Sequence, residues 1–149
     1  LVLLNTPKWH KFIGDRKVYT QDQAIAYIES RMLPQLERLG YGNYTVIRKE
    51  DGTKIGTVGL YNREGLEGVD VGFAFLPEFE GKGYAFEASN KLMSIAKNDF
   101  GLETIKAITV KENLSSQKLL EKLGLRFEKL INLPNDPEEL LFYSWSKKG

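Results

Sequence analysis

The alternation of apolar and polar residues changes period several times along the chain, and each change marks an element. Thr20 and Gln23 stand three positions apart, the spacing of a capping box in which each side chain bonds the other's backbone N–H. Behind them Ala24, Ile25, Ile28 and Met32 recur at three- and four-residue intervals, which predicts an amphipathic helix to about Gly40, kinked or split by Pro34. After Gly40 the period becomes two. Tyr44, Val46 and Ile47 predict a strand, Asp51-Gly52 a hairpin turn, and residues 54–62 the returning strand. Gly56 and Gly59 inside that strand predict a bulge or the close approach of another group. A third strand is expected over residues 69–76, ending at Pro77. Three strands joined by short turns make an antiparallel meander.

A glycine-bearing loop, Glu80-Gly81-Lys82-Gly83, then opens into a helical pattern with Ala85, Ala88, Leu92 and Ile95 on one face and Gly101 as its stop. Residues 105–110 alternate like a strand. Asn113 is placed to cap a short helix that turns Leu119, Leu120 and Leu123 to the core and ends at Gly124. Residues 125–133 and 140–145 predict two closing strands around the loop Pro134-Asn135-Asp136-Pro137. Residues 1–19 carry few signals beyond Pro7 and the Gly14-Asp15 turn, and there is no repeat, low-complexity tract or linker. The expected fold class is α/β of the α+β type: one domain over residues 1–149 with a mixed sheet.

Composition narrows the chemistry. At 149 residues, 42% hydrophobic and 28% charged, the chain reads as a single soluble globular domain. Lysine plus arginine number 21 against 20 acids, so no global basic field exists for a nucleic-acid backbone, and no nucleic-acid partner is expected. The chain has no cysteine, which excludes disulfides, thiolate metal sites and a cysteine nucleophile and fits a reducing, cytoplasmic setting. A single histidine, His10, removes any two-histidine metal site, and no metal is expected. No apolar run approaches the ~18 residues of a membrane span. The start, Leu-Val-Leu-Leu-Asn, has neither an initiator methionine nor the basic head of a signal peptide, so we expect the beginning to be missing.

The most informative stretch is residues 71–85, a strand that runs into a two-glycine loop which becomes the first turn of a helix. Helix N-termini present unpaired N–H groups and a partial positive charge to anions. Glycine lets several N–H groups converge on one anion, and Lys82 adds a charge at the rim. The alternative is that Gly81 and Gly83 make only a tight turn. A Walker-type loop fails because Gly81-Lys82 is followed by Gly83, and a Rossmann fingerprint fails because position 86 is Phe86.

The strand, the Gly81-Lys82-Gly83-Tyr84-Ala85 turn with Glu87-Ala88 behind it, and Asn113-x-x-Ser116 leading to Glu121-Lys122-Leu123-Gly124 resemble the GNAT superfamily of acetyl-CoA-dependent N-acetyltransferases. The likeness is greatest to the branch of the RimJ/RimL-type ribosomal-protein N-acetyltransferases, which Gly14-Asp15-Arg16 and the early helix also suit. It implies the GNAT fold, a central twisted, mixed, mostly antiparallel sheet flanked by helices, here lacking the N-terminal strand. It also implies acetyl-CoA as co-substrate. The strand end at Ala74, Phe75 and Leu76 would meet the pantetheine amides, and the N–H groups of Gly81, Lys82, Gly83, Tyr84 and Ala85 would cradle the pyrophosphate. Relatives often carry Gln or Arg where this chain has Glu80, and a carboxylate there is tolerable only if it points to solvent.

Acetylating an amine requires a neutral nucleophile, and a lysine-type amine has a pKa of ~10.4, so a carboxylate base helps. Asp70, two residues before Gly72 where relatives often place a carboxylate, is the leading base and shares a sheet face with Gly72 and Ala74 by alternation. The alternative for Asp70 is a solvated strand-edge acid. Glu87 is the second candidate, although a carboxylate in a first helical turn is stabilising in any case. A backbone N–H at Ala74 or Phe75 would meet the oxyanion. Many relatives place a tyrosine acid seven positions after the motif asparagine, and here that residue is Leu120. Ser116 is the substitute, for catalysis and for contact with the cofactor, its alternative being ordinary helix-start chemistry. A thiol of pKa ~8.5 also leaves without full protonation. Asn113 suits the pantetheine arm, the helix cap, or both. His10 beside Trp9 reads as packing or acceptor-pocket wall, and Tyr19, Tyr61 and Arg63 as acceptor-side residues.

The function implied is acetyl transfer to a primary amine, either a protein N-terminus or a small molecule, by a monomer or homodimer. Two other readings stay open: a non-catalytic acyl-CoA-binding or sensing module on the same scaffold, and a phosphate or nucleotide binder of another kind.

Overall fold

The computed structural model describes residues 20–28, 35–36, 39–62, 66 and 68–147. The expectations for Trp9, His10, Gly14-Asp15-Arg16, Tyr19, Met32, Pro34 and Arg63, and for a missing N-terminal strand, lie outside them. Helix α1 (Gln21–Tyr27) starts at the predicted capping box: Gln23 N–H donates to Thr20 Oγ1 and Thr20 N–H to Gln23 Oε1, both at 3.1 Å. Gly40, at φ +81°, donates its N–H to Leu36 O at 2.9 Å and closes a helical turn before the first strand.

The meander forms as the alternation requires, from β1 (Asn43–Ile47), β2 (Lys54–Tyr61) and β3 (Asp70–Phe75). At the β1–β2 turn, Gly52 adopts φ +73° and its N–H reaches Arg48 O at 2.8 Å. Both expectations for Gly56 are met. The β1–β2 register slips beside it, Val46 facing Gly56 but Ile47 facing Lys54, and a Cβ on Gly56 would lie 2.5 Å from Ala74 O. Gly59 is approached instead by the Tyr61 hydroxyl, 2.5 Å from where its Cβ would be.

Helix α2 (Tyr84–Asn98) carries the chain from β3 to β4 (Thr104–Val110), and α3 (Leu114–Lys122) leads on to β5 (Arg126–Ile131) and β6 (Leu140–Ser146). The sheet order is β1-β2-β3-β4-β6-β5, with β3 and β4 parallel and every other neighbour antiparallel. This is the mixed sheet that the sequence predicted, mostly antiparallel and flanked by helices as the family resemblance implied. Among the described residues no helix is long and apolar enough to cross a membrane.

Register divides the sheet into two faces. Val58, Leu60, Val71, Phe75, Ile105, Ala107 and Tyr143 share one face and join Leu92, Met93, Ala96, Leu120 and Leu123 of the two helices in the core. The buried stripe of α2 is Ser89, Leu92, Met93 and Ala96, rotated from the predicted face of Ala85, Ala88, Leu92 and Ile95. The three displaced residues are half-buried. Because α2 packs on β2, β3 and α3 together, the flank of its stripe is covered as well as its centre.

Candidate functional site

Strands β3 and β4 meet at a single register pair, Asp70 opposite Lys106, with Lys106 N–H donating to Val69 O at 2.8 Å. Beyond that pair the ladder stops. Each strand stays fully paired to its outer neighbour, β3 to β2 as far as Phe75 and β4 to β6 as far as Val110. A wedge therefore opens between them, closed at Asp70 and open at the strand ends.

Alternation decides which backbone groups face this wedge. Leu76 donates its N–H to Ile55 O at 2.9 Å, so its amide is committed to β2. In an antiparallel pair successive residues turn their polar groups to opposite sides. Ala74, two residues back, therefore faces Thr57 of β2, whereas Phe73 and Phe75 direct N–H and C=O toward β4. Of the three strand-end residues singled out in the sequence, Phe75 is the one whose backbone lines the wedge. Phe73, which sequence reasoning missed, is the second. Only the pairing register reveals this parity.

At the mouth, a turn of 3-10 helix (Pro77–Phe79) leads into the glycine loop. Gly81 at φ +71° and Gly83 at φ +84° are both left-handed and exposed, and nothing lies within 4 Å of where a Cβ would stand on either. Gly83 is the N-cap of the fifteen-residue α2 and makes no side-chain cap bond. The first intrahelical bond is Glu87 N–H to Gly83 O at 3.0 Å, which leaves the N–H groups of Gly83, Tyr84, Ala85 and Phe86 without helical partners. Those donors, the positive helix end and the open space above the glycines form a cradle for an anion. Lys82 and Glu80 are both exposed residues at its rim.

Because β3 and β4 run parallel, the helices that follow them begin at the same edge of the sheet. The N-terminus of α3 thus joins that of α2 at the wedge. Asn113 caps α3 by accepting Ser116 N–H at 3.2 Å and Ser115 Oγ at 3.5 Å. Ser116 is half-buried, and its hydroxyl makes no hydrogen bond among the described residues. Leu120, at the position where a tyrosine acid was sought, is 1% exposed and packed in the core. Glu87 is exposed in the first turn of α2.

Asp70 lies at the closed end of the wedge, five residues of strand from Phe75, which is ~17 Å. It is 1% exposed, inside the sheet between β2 and β4, and shares a face with Gly72 and Ala74. That position removes the reading of Asp70 as a solvated edge acid. Beside it on β2, Tyr61 donates its hydroxyl proton to Asn43 Oδ1 at 2.5 Å across Gly59.

Arg48, which the sequence reading passed over, reaches the same region from the β1–β2 turn. Its guanidinium carbon is 5.1 Å from the centroid of Phe79, and the group is hydrogen-bonded to the Asp51 side chain, with Tyr84 close by. The pairing raises the Arg48 pKa and holds the Asp51 carboxyl well below the usual carboxylate range. An arginine three residues before an aspartate across an Asp-Gly turn was a visible sequence signal. Its contacts with residues more than thirty positions away were not.

Residues 1–126 match the family model described as the acetyltransferase (GNAT) domain. The chain is 26% identical over 131 residues to an uncharacterised N-acetyltransferase, YnaD, of Bacillus subtilis, covering 85% of this chain and 74% of that protein. Among solved structures, an acetyltransferase from Agrobacterium tumefaciens superposes with a TM-score of 0.79 at 23% identity, over 97% of this chain and 81% of that one. RimL, a ribosomal L7/L12 α-N-protein acetyltransferase solved in complex with coenzyme A, gives a TM-score of 0.75 at 14% identity, over 89% and 76%. The two structural likenesses concern the fold.

Proposed function

This chain belongs to the acetyltransferase (GNAT) family, and on that premise we propose that it transfers the acetyl group of acetyl-CoA to a primary amine by direct attack in a ternary complex. The observation that carries this reading is the parting of β3 from β4 where two helix N-termini converge. The residues present suit acetyl-CoA. The backbone groups of Phe73 and Phe75 match the amides of an extended arm, and the uncapped N-terminus of α2 with its two open glycines matches a pyrophosphate. When bound, acetyl-CoA supplies an activated acetyl thioester.

The chain's own groups then divide the work. The backbone N–H of Phe75 stabilises the developing oxyanion, a type of contact worth ~3–4 kcal/mol. Asp70 lies ~17 Å from that N–H at the closed end, beyond direct reach, so it receives the proton of the attacking amine through a chain of waters along the wedge. Ser116 offers its hydroxyl to the departing sulfur, and Glu87 is held in reserve as an alternative base. Asn113 holds Ser116 in place by its cap.

The acceptor to test first is a protein N-terminus, on the strength of the RimJ/RimL-like segments in the sequence and the fold shared with RimL. An α-amino group of pKa ~7.7–8.0 also asks less of a base than a lysine-type amine at ~10.4. We further propose one domain across residues 1–149, working in the cytoplasm as a monomer or homodimer. A second reading, an acyl-CoA-binding module without transfer, is favoured by one observation: core packing of Leu120 where relatives carry a tyrosine acid.

Thermal unfolding with acetyl-CoA, CoA and ATP tests the ligand. Ligand at ~100 times its dissociation constant adds ~2.7 kcal/mol, a rise of several degrees in a domain of this size. A rise with acetyl-CoA and CoA but not ATP is expected, and no rise overturns the cofactor assignment. Thiol release across a panel of peptides and small amines then separates the two readings, since a binding module releases none. Asp70→Asn should lower turnover far more than acetyl-CoA affinity, and an unchanged pH–rate profile removes Asp70 from the mechanism.

A further inference from the structure

Gly81 and Gly83 are exposed and left-handed, and the α2 N-cap has no side chain with which to fasten itself. Holding glycine backbone in one shape carries a large entropic penalty, so an anion cradle of this kind requires external restraint. The residue before the loop is Phe79 at the end of the 3-10 turn, and the residue after it is Tyr84 at the first position of α2. Phe79 packs against one guanidinium, and Tyr84 lies close to the same group.

That group is Arg48. Its carbon lies 5.1 Å from the Phe79 ring centroid, within cation–π range, and the Tyr84 side chain is close enough to help raise the guanidinium pKa. Asp51 holds it from the other side through a two-point fork, Nε to Oδ1 at 3.0 Å and Nη2 to Oδ2 at 2.5 Å. Asp51 is itself fixed, because Oδ1 also accepts Thr53 N–H at 3.1 Å. The turn that carries both residues is closed by Arg48 N–H to Thr53 O and Gly52 N–H to Arg48 O, each at 2.8 Å. The guanidinium is thus positioned by a hydrogen-bonded turn as well as by its own stem.

We propose that Arg48 is a positioning residue, a clamp that ties the start of loop 80–83 to the β1–β2 turn through Phe79 and keeps the loop in its anion-binding shape. The proposal rests on the reading that residues 81–85 receive the cofactor's pyrophosphate. Its distinguishing feature is that Asp51 neutralises the arginine, so the side chain acts through Phe79 and delivers no free charge to the ligand.

The test compares wild type with Arg48→Ala, Arg48→Lys, Asp51→Asn and, for the cradle itself, Gly83→Val. Amide hydrogen exchange of residues 80–86 is measured in the free protein, and acetyl-CoA affinity by calorimetry. If the clamp loss leaves the loop competent a tenth of the time, apparent Kd rises about ten-fold. Arg48→Ala should therefore exchange faster in the loop without ligand and bind acetyl-CoA about ten-fold more weakly, with KM raised and kcat at saturation unchanged. Arg48→Lys, keeping charge without the fork, should recover only part of the affinity. Asp51→Asn should also weaken binding. Wild-type exchange and affinity in Arg48→Ala would overturn the clamp. Tighter binding in Asp51→Asn would overturn it too, because it would make Arg48 a direct phosphate ligand released from its partner. Gly83→Val with unchanged affinity would overturn the cradle reading instead, while loop exchange in the free protein would still judge the clamp.

Discussion

Gly56 sits where two demands on the backbone meet. A Cβ there would lie 2.5 Å from Ala74 O and 2.7 Å from Phe75 Cδ2, and the carbonyl cannot swing away as a side chain can. Gly56→Ala must push β2 from β3 at the residue whose amide faces the wedge. A loss of ~1–3 kcal/mol, the usual range for overpacking, is expected in urea unfolding, with weaker acetyl-CoA binding alongside. At Gly59 the nearest obstacle is the end of the Tyr61 side chain, with Gly42 O at 3.0 Å, so Gly59→Ala should be the milder of the two. The sequence signalled both glycines through their presence inside a strand. Only the tertiary structure separates a backbone obstacle from a movable one.

Among the elements, α3 is the shortest helix that carries a candidate catalytic group, and nine residues give it little intrinsic stability. Its start depends on the bond from Ser116 N–H to Asn113 Oδ1. Asn113→Ala should cost ~1 kcal/mol in chemical denaturation and loosen the turn that holds Ser116, lowering turnover. Asn113→Asp keeps the acceptor and should restore the stability. Equal stability of Asn113→Ala and wild type would assign the helix start to packing of Leu119, Leu120 and Leu123 instead. The cap was legible because it is a local rule acting over three residues. The helical face of α2 was less legible, since packing against two strands and another helix rotates the buried stripe from the one a single-sided pattern implies.

For the molecule as a whole, Tyr143 links pH to stability. It is 3% exposed in the main core, on β6 opposite Ala107 and edge-on to Phe127 with centroids 5.8 Å apart. Burial raises its pKa, and the charge of Glu121 adds to the rise. The unfolded chain releases this proton near pH 10, while the folded protein retains it to higher pH. The contribution to stability is therefore complete below about pH 10 and is lost as pH climbs through the folded-state value. The unfolding midpoint should fall on raising the pH past 10, and Tyr143→Phe should flatten that alkaline limb. A parallel fall in both proteins would place the alkaline sensitivity elsewhere.

What the sequence by itself determined are the features that depend on neighbours a few residues apart. The Thr20–Gln23 box, the Asp51-Gly52 turn, the strand alternation, the glycine loop opening a helix and the Asn113 cap all follow from backbone sterics and short-range hydrogen bonding. The tertiary structure alone decided the insertion of β6 between β4 and β5, and the single pairing that parts β3 from β4. It also decided the burial of Asp70, the parity that turns Phe73 and Phe75 toward the wedge, and the reach of Arg48 to Phe79 and Tyr84. Each of these joins residues far apart in the chain, and no local period encodes which distant strand will supply the neighbour. The site is assembled from local devices that sequence reveals, brought to one sheet edge by long-range packing that it does not.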